Sequence, residues 1–275
     1  MIRRRILVLA MAGLVIMGCG VAGQPPGSAS AAGSPSLTLT IYAASSLRAA
    51  LTRVAADYPA THPGTALTVS MDSSAALEAQ IEQGAPADVF LSADSKNPQK
   101  LVALGLAPEA VPFAGNILAI VVPGTDGGSA NPAAIRSPID LARPDVKIVA
   151  AGDAVPITTY ARQLVANLAR QPGFPSSFAA AYDANVVSRE DNVSAIVSKV
   201  ALGEGDAGIV YMTDALSSTE VTTVDVPPGA NVVATYAGAT LKGSRHPDAA
   251  RAFLTWLAGP GGQTILRQFG FRAPP

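Results

Sequence analysis

From Leu37 onward the apolar residues switch repeatedly between a spacing of two and a spacing of three to four, which confines the chain to an α/β architecture. Leu37–Ala43 reads as a strand. Leu47, Ala50, Leu51, Val54, Ala55 and Tyr58 then recur at helical spacing, and Pro59 predicts the end of that helix. Ala66–Met71 reads as the next strand, and Ser74–Gln83 as a helix stopped by Gly84. "ADVFLSA" is a third strand, followed by a helix through Leu104 with Asp94 as its cap. Strand–helix units in series imply a parallel sheet covered by helices.

"NILAIVVP" (Asn116 to Pro123) is a further strand, followed by the loop "GTDGGSANP". The alternation resumes with helix Pro132–Ala142, strand Val146–Ala150, helix Thr158–Arg170 and a proline-bounded segment from Phe174. Helix Val193–Leu202 and strand "AGIVY" come next, and two helices divided by Gly259 and Pro260 close the chain. No internal repeat is evident. The 275 residues accommodate two lobes with a boundary near the loop at 124–131, or one larger domain.

The first 36 residues are of another kind. "MIRRR" is a basic leader start, and "ILVLAMAGLVIMG" is an apolar run too short to span a bilayer comfortably. It ends in "IMGC", similar to the lipobox of bacterial lipoproteins, so residues 1–18 are expected to be a lipoprotein signal peptide and Cys19 the lipidated residue. A chance thiol beside an ordinary signal peptide is the alternative. Cys19 is the only cysteine, so no intramolecular disulfide is possible. Residues 19–36, rich in Gly, Ser, Ala and Pro and without charge, read as a flexible tether. Loss of residues 1–18 takes three of the 19 basic residues and none of the 20 acidic ones, leaving about −4. That balance offers no electrostatic footprint for nucleic acid or an anionic membrane face.

Ser45 and Ser46, and again Ser73 and Ser74, stand where a strand gives way to a helix. Such junctions lie at the carboxyl ends of parallel strands, where ligands bind in open α/β sheets. A helix start leaves several N–H groups without acceptors and carries the positive end of the helix dipole, which together attract anions. Ordinary N-capping explains any one of these serines; two equivalent double-serine junctions weigh evenly between capping and binding. Tyr211 ends "AGIVY" at the same edge, and a half-buried core tyrosine is its plainer reading. Val193 N–H opens the helix after Asn192, and Pro156 stands near the first turn of the helix after "DAV".

Several chemistries find no motif. "GEGDAG" (Gly203 to Gly208) follows a helix and precedes a strand, the reverse of a dinucleotide loop. The two histidines, His62 and His246, each precede proline, which suggests loops, and nothing in the sequence pairs either with a serine. Metal-ligand spacing is absent.

"YAASSLRAAL", "ALEAQIEQGAPADVFLSAD", "NILAIVVP", "GDAGIVYMTDA" and "FLTWLAGPGGQTILRQFGF", in that order, together resemble the molybdate-binding proteins of ABC uptake systems over most of Leu37 to Phe271. The resemblance implies a two-lobed periplasmic-binding fold of type II, with the oxyanion in the cleft between lobes. It implies two crossings, near Pro123 and near Tyr236. Lobe 1 would then be 37–122 plus 237–275, and lobe 2 would be 123–236. Carried over by position, the oxyanion ligands would be Ser46 and Ser74 through hydroxyl and N–H, Val193 and Ile157 through N–H, and Tyr211 through its hydroxyl. "GDAVPITTY" is shorter than the family pattern around Ile157. The resemblance further implies a monomer without catalytic residues or cofactor, anchored by lipid at the outer face of the cytoplasmic membrane. It would deliver molybdate or tungstate to an ABC permease, with the metal present only inside the oxyanion. Alternatives are a receptor for sulfate or another small anion, a ferric-ion receptor, an exported serine hydrolase using Ser46 or Ser74, and a surface scaffold.

Overall fold

A computed structural model describes residues 37–124, 131 and 133–275, so the expected signal peptide, the tether and Cys19 lie outside the described residues. β1 (Leu37–Ala44) passes through a 3-10 turn at Ser45–Leu47 into α1 (Arg48–Thr61), followed by β2 (Thr65–Asp72), α2 (Ser74–Glu82), β3 (Val89–Ser92) and α3 (Lys96–Ala103). The long β4 (Val111–Pro123) leads to a 3-10 turn at Pro138–Ala142 and then β5 (Ile148–Ala151), α4 (Pro156–Leu168), α5 (Phe178–Ala184), β6 (Val186–Glu190) and α6 (Val193–Ala201). β7 (Ala207–Tyr211), α7 (Met212–Leu216), β8 (Val221–Val224), β9 (Val233–Thr240), α8 (Pro247–Ala258) and α9 (Pro260–Gln268) complete the chain.

The strands follow the order β2-β1-β3-β9-β4-β7-β5-β6, with β8 also on β4. β1 runs parallel to β2 and β3, so that Ile41 stands beside Val69 and Val89. β5 is likewise parallel to β6 and β7. The sheet is mixed, because β9 is antiparallel to β3 and β4, and β4 is antiparallel to β7 and β8. β4 changes partner midway: Val111–Ile117 pair with β9, and Leu118–Pro123 with β7 and β8. Alternation along β1 sends Leu39, Ile41 and Ala43 into the core, all three fully buried.

Four departures from the sequence expectation have physical causes. Pro59 lies inside α1 rather than ending it. A proline removes only one helical hydrogen bond, and the last turn is held by buried Tyr58, which stacks on His62 and meets Phe253 and Trp256 edge-on. Second, within the expected helix Pro132–Ala142 the described residues form only the 3-10 turn at Pro138–Ala142. Ala134 has φ +48°, and the Asn131 side chain takes the Ile135 N–H and donates to the Ile135 carbonyl, so the backbone there is folded on a side chain instead of a helical ladder. Third, the proline-bounded segment contains α5 and the strand β6. Fourth, β8 and β9 carry too little periodicity to be read in advance, since β8 has four residues and β9 is built largely of small ones whose place is set by neighbouring strands. The Asp94 cap is present: its Oδ1 accepts the Asn97 N–H at 3.0 Å and the Ser92 hydroxyl at 2.8 Å. Gly84 ends α2 with φ +87°, a conformation costly for any side-chain-bearing residue.

Candidate functional site

All the carboxyl ends of the parallel strands point to one place. Ser45 and Ser46 follow β1, Ser73 and Ser74 follow β2, Ala93 follows β3, Val155 to Ile157 follow β5, Val193 follows β6, and Tyr211 ends β7. These residues, with Ala44 and Asp72, line a single cavity of about 10 Å³, room for roughly one water. The five residues expected to hold an oxyanion, Ser46, Ser74, Ile157, Val193 and Tyr211, are therefore brought together although they come from five strand ends spread over 166 positions of the chain's numbering, from 46 to 211.

Each helix start is arranged to leave specific donors unspent. Ser73 Oγ caps α2 by accepting the Ala76 N–H at 3.2 Å, which leaves the first-turn N–H of Ser74 without an intrahelical acceptor. Asn192 Oδ1 does the same for α6 through the Ala195 N–H at 3.1 Å, leaving the Val193 N–H. In α4, Pro156 occupies the first position and has no N–H, the Thr158 N–H bonds to the Val155 carbonyl at 3.0 Å, and Ile157 N–H is left between them. The Ser74 hydroxyl is directed from behind: its oxygen accepts the Ala93 N–H at 3.0 Å, so its own hydrogen is available to the cavity. Ser46 Oγ lies 2.8 Å from the Tyr236 hydroxyl.

Tyr211 is 1% exposed, and its hydroxyl donates across the cavity to the Ala93 carbonyl at 3.5 Å. Its ring meets Tyr160 and Tyr236 edge-on, which fixes its orientation. Burial, and secondarily Tyr236, raises its pKa well above the usual phenol value, so it stays a neutral donor.

No Lys, Arg or His is among the lining residues. An anion here is met by peptide and hydroxyl dipoles, which, being fixed in place, can replace a water shell without bringing a counter-charge. One lining residue outside the expected ligand set is a carboxylate. Asp72 sits at the end of β2, where its Oδ1 accepts the Ser73 N–H at 2.7 Å and the Asn192 side-chain amide at 3.4 Å. Residue type alone gave no signal for it, because an aspartate before a serine pair reads equally as a turn residue. Its carboxylate places an acceptor at the cavity wall, the kind of group that the proton of hydrogen phosphate needs.

Neither histidine reaches this cavity. His62 is stacked on Tyr58 and bonded to Thr61, and His246 lines a separate cavity with Asp88 and Ser244. The Ser–His pair that a serine hydrolase needs is not formed. Among the described residues no group of three or more His, Cys, Asp or Glu could hold a metal ion, and no helix is long and apolar enough to cross a membrane.

A mixed sheet flanked by helices, with the helix starts at its strand ends converging on one cavity, is the type II fold of periplasmic binding proteins. Residues 39–272 match the family of bacterial extracellular solute-binding proteins, and the chain belongs to it. It is 34% identical to the molybdate-binding protein ModA of Mycobacterium tuberculosis over 270 residues, 98% of this chain and 97% of that protein. A putative ABC transporter substrate-binding lipoprotein of Bacillus subtilis, YvgL, is 30% identical over 92% of this chain and 93% of its own. The periplasmic molybdate-binding protein of Azotobacter vinelandii superposes with a TM-score of 0.69 at 22% identity, covering 86% of this chain and 100% of that one.

Proposed function

We propose that the protein captures molybdate, and tungstate with it, outside the cytoplasmic membrane and delivers it to an ABC permease. The observation that carries this reading is the convergence of Ser46, Ser74, Ile157, Val193 and Tyr211 on one cavity free of basic side chains. Two serine hydroxyls, the N–H groups of Ser46, Ser74, Ile157 and Val193, and a phenol give a donor set suited to a tetrahedral dianion. Sulfate has the same charge but shorter bonds, and would meet these donors less well. The role is binding, without a catalytic step or a cofactor, by a monomer. Similarity to a protein named as a lipoprotein supports lipid attachment at Cys19.

The lobes are 37–122 with 237–275, and 123–236, and the change of partner in β4 between Ile117 and Leu118 supports a crossing in that strand. A cavity of about 10 Å³ is smaller than a tetrahedral oxyanion, which supports loading by a parting of the lobes that then close again. The contacts of Tyr211 with Ala93 and of Asn192 with Asp72 are the ones that must open.

Calorimetric titration of the full-length chain in mild detergent with molybdate, tungstate, sulfate and phosphate tests the reading. One-to-one binding of the first two with weak response to the others is expected. Equal binding of sulfate would move the protein to a broader oxyanion class, and silence toward all four from folded protein would overturn the reading.

A further inference from the structure

Behind Ser46 lies a buried chain of polar groups that the binding site as described does not use. Ser46 Oγ and the Tyr236 hydroxyl stand 2.8 Å apart across 190 residues of sequence, and geometry alone allows either to donate. The direction matters to an anion. If Ser46 donates backward to Tyr236, the oxygen lone pairs of Ser46 face the ligand; if Tyr236 donates forward, the Ser46 hydrogen faces it.

Asn116, fully buried on β4, decides between the two. Its Oδ1 accepts the Ile117 N–H at 2.9 Å, and only the oxygen of an amide can do so, which assigns the other branch as Nδ2. Nδ2 donates to Thr213 Oγ1 at 2.9 Å and approaches the Tyr236 hydroxyl at 3.4 Å. An amide nitrogen offers hydrogens only. The Tyr236 oxygen accepts from Asn116, and among the described residues Ser46 Oγ is the only other partner of this buried phenol and so the only acceptor for its proton; the Ser46 hydrogen is thereby turned to the cavity. The phenol is held in place by Phe113, Tyr211 and Phe271, all edge-on to its ring. Burial keeps it protonated. The Ser74 hydroxyl receives the same treatment from a backbone amide, that of Ala93.

We propose that Tyr236, oriented by Asn116, is a positioning residue that commits the Ser46 hydroxyl to donate into the oxyanion cavity. The proposal rests on the reading of the cavity as an oxyanion site. A double-mutant cycle read by calorimetry with molybdate tests it, using the full-length wild type, Tyr236→Phe, Ser46→Ala and the double variant. Tyr236→Phe is expected to weaken binding about tenfold or more, the scale of one hydrogen bond to a charged group. In the Ser46→Ala background the same substitution should change nothing, because its effect runs through Ser46. A Tyr236→Phe protein that binds within about twofold of wild type, or losses that multiply in the double variant, would overturn the proposal. Should Tyr236→Phe fail to fold, Asn116→Leu, which removes the amide that sets the direction, takes its place in the same cycle. A folded wild type that binds none of the four anions would instead refute the functional reading itself.

Discussion

Asp214 offers a quantitative test of how the protein manages buried charge. It lies on α7, directly after the cavity tyrosine Tyr211, and is 5% exposed. Its Oδ2 has no hydrogen-bond partner. Burial pushes its pKa up to about 8, against the pull of the Tyr211 and Asp214 backbone amides. The folded state therefore keeps a proton that the unfolded chain releases near pH 4, the ordinary aspartate range. Below that, both states hold the proton and stability is undiminished. As pH rises toward 8 the unfolded chain is favoured by about 1.4 kcal/mol per pH unit, and the loss levels off once the folded carboxyl ionises. Asp214→Asn removes this titration and leaves one unpartnered polar branch in place of another. Between pH 5 and pH 7 the variant should gain about 3 kcal/mol relative to wild type, or roughly 6–12 °C in Tm for a domain of this size. Thermal melts of both proteins in anion-free buffer across pH 5 to 8, followed by circular dichroism, measure the difference. The neighbouring Tyr211 and Tyr236 stay neutral throughout that range and cancel in the comparison. Parallel stability curves for the two proteins would refute the argument, since they would mean that Asp214 ionises in the folded state as readily as in the unfolded one.

Ser74→Ala should lower molybdate affinity by about tenfold to a hundredfold and leave the Ala93 N–H without its acceptor, whereas Ile157→Val, which keeps the backbone donor, should stay within about threefold, both read by titration calorimetry. Asp72→Asn retains an acceptor for the Ser73 N–H while removing a like charge beside the anion, so molybdate affinity should rise about fivefold at low salt and the gain should shrink as salt is added. Hydrogen phosphate, which needs an acceptor for its proton, should gain less from that substitution than molybdate in the same titrations. At Gly208 an added Cβ would meet Ile196 Cγ2 at 2.5 Å and the Val149 carbonyl oxygen at 3.1 Å, where α6 crosses β7, so Gly208→Ala should cost about 1–3 kcal/mol in urea unfolding.

Much of this molecule follows from local rules. The two-residue period of Leu37–Ala44 and the helical period after it act over a few residues, so the early strand–helix units and the serine pairs at their junctions are visible in the sequence. So is Tyr211 at the end of an apolar strand. What the local pattern could not supply is anything decided by residues far apart in the chain. Pro59 ends a helix by rule, yet α1 runs through it because Tyr58 is packed between His62, Phe253 and Trp256. β8 and β9 exist because β4 and β3 offer them ladders, and their short or small-residued sequences would not form strands alone. Asp72 became a wall of the cavity, and Tyr236 and Asn116 a support behind Ser46, only when strands distant in the chain came together. A helix start is written in four or five residues; the direction of one hydroxyl proton needed Asn116, Tyr236 and Ser46, which share no local pattern and meet only in the fold.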